Sequence, residues 1–322
     1  MTLKNKSILV AGGAGFIGSH LVDALVKENP EKITVLSNFY LGKEENLKEA
    51  KQIFSYLKIY HGSAADFEVT RRIFENENID IVYNLAVIPL PASLEDPLGS
   101  TIENVKIATN MCEILRKGLF KKLIHFSSSE AYGSAKQVPM NEKHELNPET
   151  PYAAAKASGD LIVDSYFRTF KLDTAILRPF NNYGPRQNAG KFAVIIPLFI
   201  KKIMNKEMTL TINGDGEQTR DFIYVTDTAR AAIEFAKNNN VIGKTINIAS
   251  GREVSMNYLT ELICKEMNFK GKIVHAAERP GDVRRHFADI SLAKKLINFE
   301  TKIKLEEGIK LTCDWYKKNL NI

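Results

Sequence analysis

The chain has 322 residues, 44% hydrophobic and 25% charged, the make-up of a globular protein with one large α/β domain or two closely joined lobes. Its net charge of +6 comes without a dense Lys/Arg run interleaved with aromatics, which excludes a nucleic-acid face and leaves a solvated surface with a few arginines for an anionic ligand. Cys112, Cys264 and Cys313 are too few and too scattered for a disulfide framework, no Cys/His cluster has metal-ligand spacing, and no run is apolar enough to cross a bilayer, so a metal-free protein of the reducing cytoplasm without a signal peptide is expected.

Ser7–Ala11 reads as a buried strand. The turn Gly12-Gly13-Ala14-Gly15-Phe16-Ile17-Gly18 follows, and Ser19–Val26 then shows helical periodicity. Strand, glycine turn and helix in this order form the context of a dinucleotide site. Glycines let the backbone approach a pyrophosphate, and the helix start offers N–H donors and a positive dipole end. Further strands are predicted at Ile33–Leu36, Leu57–Tyr60, Ile79–Asn84, Lys122–Phe126 and Thr174–Arg178. Between them lie helices through Arg71–Phe74, capped by Asp66, over Thr101–Lys117, and from Tyr152 to Phe170. Such alternation predicts a doubly wound parallel sheet of Rossmann type, with ligands at the strands' C-terminal ends. Past Pro179 the rhythm changes, with a turn at Asn213–Gly216 and helices near Asp227–Lys237, Ser255–Met267, Ser291–Ile297 and Leu305–Lys318. Residues 1–180, completed by 222–250, are expected to form the dinucleotide-binding domain. Residues 181–221 and 251–322 are expected to form a smaller mixed α/β lobe.

Tyr152 and Lys156 stand one helical turn apart, with three alanines between them and Pro151 in the first turn. An ammonium beside a phenol makes the phenolate easier to form, and such a tyrosine is a base for a hydroxyl proton. Taken alone, the pair is more often a chance spacing on a surface helix. Its neighbours change that reading.

The ordered motifs resemble the extended short-chain dehydrogenase/reductase family, in its branch of nucleotide-sugar epimerases and dehydratases. They are Gly12–Gly18, Asn84-Leu85-Ala86, Asn104, Ser128–Gly133, Tyr152 with Lys156, Arg178–Asn181, Tyr183–Arg186, Gly214–Gly216 with Gln218–Asp221, Tyr224-Val225, Asp227 and Arg279–Asp282. The resemblance implies NAD held by Gly12, Gly15, Phe16, Ile17, Gly18, Ser37, Asn38, Ala64, Leu85 and Ala86, together with Tyr152 and Lys156. It implies a nucleotide-diphosphate sugar touching Ser129, Asn181, Arg186, Arg220 and Arg279, and oxidation of that sugar at C4. Tyr152 would be the base, Lys156 would hold its phenolate and the nicotinamide ribose, and Ser128 would hydrogen-bond the reacting hydroxyl. Relatives pair through two helices, here Thr101–Lys117 and Tyr152–Phe170, so a homodimer is expected, with Ile107, Met111, Ile114 and Leu115 as its apolar stripe.

Two positions depart from the family pattern. Ser37, followed by Asn38, stands where an acidic residue usually ends the second strand, and Ser63 stands where an Asp follows the third. NAD is expected, with NADP left open; Lys43 is either a phosphate partner or a surface lysine. Glu130 matches the position where dehydratases and uronate decarboxylases carry Glu, so 4,6-dehydration is the first expectation. 4-Epimerisation, decarboxylation and plain C4 dehydrogenation are the alternatives. A silent nucleotide-binding scaffold is opposed by the intact Ser128, Tyr152 and Lys156.

Overall fold

The computed structural model describes residues 2–278 and 283–320. Six strands of the first part, β1 (Ser7–Ala11), β2 (Lys32–Ser37), β3 (Leu57–His61), β4 (Ile81–Asn84), β5 (Lys122–Phe126) and β6 (Thr174–Pro179), join one parallel sheet. A seventh strand, Thr245–Ile248, pairs with the outer edge of β6. From that edge the order is Thr245–Ile248, β6, β5, β4, β1, β2, β3. This is the Rossmann-type α/β arrangement expected from the alternation. The chain runs outward from β1 to β2 and β3, then crosses to β4, so a crevice opens beside the end of β1.

Strands covered on both faces are mostly apolar, and β1, β4, β5 and β6 are buried at every position, the polar Asn84, Lys122, His125 and Arg178 included. Side chains alternate between two cores. Ile8 and Val10 face the helices Phe16–Val26 and Val225–Lys237, with Leu21, Leu25, Ala232 and Ile233 beneath them. Leu9 and Val82 face the helices Pro97–Arg116 and Pro151–Phe170, meeting Met111, Ile114 and Val163.

The apolar stripe expected to join two subunits belongs to this second core. Ile107, Met111, Ile114 and Leu115 are 0–4% exposed within the single chain. The sheet takes the more apolar helix face, because burying it there needs no second molecule. The apolar side chains left outside on the same two helices are Leu98, Ile102, Leu161 and Phe170.

Helix starts follow their caps. The Pro97–Arg116 helix begins ahead of the expected Thr101, because Asp96 accepts from Gly99 N at 2.9 Å and Pro97 fits the first turn. Thr150 caps Pro151–Phe170 by accepting from Ala153 N at 3.2 Å. Asp66 caps Phe67–Glu77 by accepting from Val69 N at 3.0 Å, as its position predicted.

Beyond β6 a third core gathers Phe199, Ile200, Leu210, Leu259, Ile263, Ile309 and Tyr316. They come from the helices Ile195–Met204, Met256–Glu266 and Leu305–Asn319 and the strand Thr209–Asn213, which pairs with Lys272–Ala276. Thr219–Arg220 lies between Val254–Ser255 and Arg285–His286. Among the described residues no helix is long and apolar enough to cross a membrane.

Candidate active site

A cleft of about 780 Å³ opens over the C-terminal ends of β1, β2, β5 and β6 and runs into the region of the third core. The site residues singled out in the sequence line it together: Gly12, Gly15, Phe16, Ile17, Gly18, Ser37, Asn38, Ala64, Leu85, Ala86, Ser128, Ser129, Glu130, Tyr152, Lys156, Asn181, Arg186 and Arg220. Arg279 lies outside the described residues.

At one end is the glycine turn. Gly12 has φ +78°, and a Cβ there would lie 2.8 Å from Ala86 N, so no larger residue fits without moving β4's exit. A Cβ on Gly18 would meet Gly12 O at 2.3 Å. At Gly15 a Cβ would touch only Gly12 O, at 3.1 Å, and otherwise occupy open space. Gly15 is also the N-cap of Phe16–Val26, and no side chain claims that helix's first N–H groups. An open glycine cradle on an uncapped helix start fits a pyrophosphate.

The walls of this end are fixed from the helix Pro97–Arg116. Asn104 clamps Ile88 through both its backbone N (2.7 Å) and its O (3.0 Å). Asn110 donates to Ala64 O at 3.0 Å, and Ser63 Oγ donates to Glu103 Oε1 at 2.7 Å. Glu103 and Asn110 carried no signal in the sequence, because they look like ordinary polar positions on an amphipathic helix.

The reacting groups gather at the ends of β5 and the Pro151–Phe170 helix. Lys156 is buried, and its ammonium donates to Phe126 O, the last carbonyl of β5. Burial lowers its pKa to about 8 against the opposing pull of Asp160. Tyr152 is pushed up to about 12, first by burial, with the Glu130 and Asp160 charges adding to the rise and a hydrogen bond with Ser128 opposing it. The expectation that Lys156 depresses the phenol is therefore corrected for the resting protein. The ammonium is turned to a backbone carbonyl, and desolvation of the phenolate outweighs it.

Beneath this pair lies a buried ion pair. Asp160 Oδ2 accepts from Arg178 Nη2 at 2.7 Å and from Ser127 Oγ at 2.5 Å. The Arg178 guanidinium lies over the Tyr132 ring, 4.3 Å from its centroid. Asp160 shares a helix with Tyr152 and Lys156, so these bonds tie that helix to the turn that follows β5. On the turn itself, Ser128 Oγ accepts from Glu130 N at 3.2 Å. Glu130 is the sole acidic residue among the described lining residues. His286 Nδ1 stands 3.9 Å from its Oε1, and burial holds that imidazole neutral, down to about 3. Sequence spacing gave no hint of Asp160 or His286, since neither lies in a short motif with Glu130.

Toward the third core, Arg220 Nη1 donates to Val283 O at 2.6 Å and to Thr219 O at 2.9 Å. Arg186 lines the cleft too, but its Nη1 donates to Asp23 Oδ2 at 2.6 Å. That pair fastens the Tyr183–Arg186 loop to the Phe16–Val26 helix. Among the described residues no group of three or more His, Cys, Asp or Glu is placed to hold a metal ion.

Known proteins share this architecture. The family described as GDP-mannose 4,6 dehydratase matches residues 9–312. A putative UDP-glucose 4-epimerase of Methanocaldococcus jannaschii is 35% identical over 97% of this chain and 99% of its own length. The crystal structure of UDP-glucose 4-epimerase from Thermotoga maritima with UDP-glucose superposes with a TM-score of 0.91 at 33% identity, covering 98% of this chain and 100% of that one. The dTDP-glucose 4,6-dehydratase of Streptomyces venezuelae, crystallised with NAD bound, gives a TM-score of 0.90 at 28% identity over 97% of each chain. With one model spanning nearly the whole chain and relatives matched end to end, the chain belongs to the GDP-mannose 4,6 dehydratase family, among the extended short-chain dehydrogenase-type nucleotide-sugar epimerases and dehydratases.

Proposed function

We propose that this protein is an enzyme that binds NAD and a nucleotide-diphosphate sugar, oxidises the sugar at C4 and then eliminates water across C5 and C6. The open glycine cradle at Gly15 supports the cofactor, as does the NAD bound by a structural relative. When bound, NAD supplies the hydride acceptor for C4 and the donor that reduces C6 after elimination. The chain's own groups do the rest. Tyr152 takes the C4 hydroxyl proton, and Ser128, whose hydroxyl favours the ionised phenol, eases that ionisation. Lys156, one turn away, supplies the nearby positive charge. A C4 ketone makes the C5 proton acidic. Glu130 takes that proton, the C5–H electron pair becomes the C5=C6 bond, and the C6 hydroxyl leaves as water with the proton Glu130 returns; when C6 is then reduced, C5 takes its proton from solvent. Asn181 and Arg220 hold the diphosphate, where a guanidinium grips phosphate oxygens in pairs.

The observation that carries the dehydratase reading is Glu130, the one carboxylate of the described cleft, fixed on the same turn as Ser128. The test is turnover of a nucleotide-sugar panel in deuterated water. Loss of the C6 hydroxyl with deuterium at C5 is expected. In Glu130→Gln the bound NAD should still be reduced, while elimination slows by about 10²–10⁴-fold, the usual contribution of a general base. A C4 epimer with unlabelled C5 would replace this reading with 4-epimerisation, which the epimerases among the relatives favour.

A further inference from the structure

We infer that the adenosine end of the cleft admits NADP about as readily as NAD, because β2 closes on Ser37 and Asn38 instead of a carboxylate. This rests on the dinucleotide reading above and concerns the selectivity of that same site.

In a Rossmann sheet the second strand ends beside the adenosine ribose. A carboxylate there binds the 2′-hydroxyl and repels a 2′-phosphate, so one charge sets the preference for NAD. In this chain β2 ends at Ser37, directly beside the glycine turn, with Gly12 N donating to Leu36 O at 2.8 Å. Ser37, Asn38, Gly62 and Ser63 line this end of the cleft, and none of them carries charge. Glu130, the acidic lining residue, stands at the other end, after β5. The nearby carboxylates have partners. Glu44 Oε1 is 3.2 Å from His61 Nε2, and Glu103 Oε1 accepts from Ser63 Oγ at 2.7 Å.

What remains is a set of neutral donors. Ser37 Oγ accepts from Phe39 N at 3.2 Å, so its own hydrogen is left to give. Asn38 Oδ1 accepts from Tyr40 N at 3.1 Å, which turns Nδ2 into the free donor of that side chain. A ribose hydroxyl and a phosphate oxygen both accept from such groups. Lys43 begins its side chain beside the turn, with its backbone N donating to Ala14 O at 3.1 Å. The device that rejects a 2′-phosphate is missing, and among the described residues no arginine lines this end to demand one. Discrimination is therefore weak in either direction.

The test is calorimetric titration of dinucleotide-free protein with NAD and with NADP, for the wild type and for Ser37→Asp. The two wild-type Kd values should agree within about tenfold. Ser37→Asp should leave NAD binding in place and weaken NADP by about 100-fold or more, since a carboxylate and a phosphate then face each other at short range. A wild-type preference above tenfold for either dinucleotide would overturn the inference without touching the cofactor reading. An unchanged ratio in Ser37→Asp would overturn it as well, because Ser37 would then lie off the ribose. Failure to bind either dinucleotide would instead remove the cofactor reading and this inference with it.

Discussion

Lys156 gives the protein a pH-dependent cost that can be isolated by one substitution. Its pKa falls from 10.5 to about 8 because burial disfavours the ammonium more than Asp160 favours it. The unfolded chain restores the ordinary value, so between the two pKa values the unfolded state binds the extra proton. Stability then rises with pH in that window. Below about pH 8 the full penalty applies, and above about pH 10.5 it is gone. With 1.36 kcal/mol per unit, the total is roughly 3 kcal/mol, of which roughly 2–3 falls between about pH 7 and pH 10. Lys156→Met keeps an unbranched chain of similar length and removes the titration. Urea unfolding of both proteins at a series of pH values should show the wild type gaining on the variant by that amount as pH rises. Tyrosines elsewhere titrate in both proteins and cancel in the difference. The variant should also lose C4 oxidation. A stability difference that stays flat from pH 7 to 10 would refute the claim that Lys156 is held charged against its burial.

Three further outcomes follow from the packing. Asp160→Asn alone should cost about 3–5 kcal/mol in urea unfolding, because Arg178 is left buried without its counter-charge, whereas Asp160→Asn combined with Arg178→Met should cost markedly less than the sum of the single changes. Arg220→Ala should weaken nucleotide-sugar binding by roughly 2–5 kcal/mol and spare dinucleotide binding, both read by calorimetry. Leu161 is 61% exposed on the Pro151–Phe170 helix; if two copies pair through that helix, sedimentation should show a dimer for the wild type and a monomer for Leu161→Asp.

The sheet was legible because its strands are short apolar runs with glycine or cap signals between them. Ser7–Ala11 and Lys122–Phe126 form as the sequence predicted, residue for residue. The cleft was legible because strand ends in such a sheet share one edge, and the motifs fell on those ends. Direction of burial was harder. Ile107, Met111, Ile114 and Leu115 have the spacing of an apolar stripe, but spacing does not say whether a sheet or a second subunit covers it. The resting Tyr152 was misjudged for a related reason. A spacing of four positions between a tyrosine and a lysine places them on one face, but the ammonium goes to Phe126 O, and only the folded chain shows how far burial raises the phenol. The supports of the site were invisible for want of local pattern. Asp160, Arg178 and Ser127 come from a helix, a strand and the turn after β5, and nothing in one segment announces the other two.

Those supports bear on which reaction the cleft performs. Epimerisation and elimination share the C4 ketone and diverge afterwards. To epimerise, the keto sugar must turn over and present its other face, so the protein's task is to leave room. To eliminate, a base must stay aimed at the C5 proton while the sugar is held still. Glu130 sits on a turn fixed twice: inside, by Ser128 Oγ accepting from Glu130 N at 3.2 Å, and from below, by the Asp160–Arg178 pair gripping Ser127. The same Asp160 lies one turn beyond Lys156 on the helix that carries Tyr152. Glu130 and Tyr152, the proposed bases for C5 and C4, are thereby tied to one frame. A fixed geometry of this kind costs a buried ion pair and is of little use to a sugar that must rotate. It suits an enzyme that takes a proton first from the C4 hydroxyl and then from C5, and it is why the elimination reading is preferred to the epimerase one at equal likeness of fold.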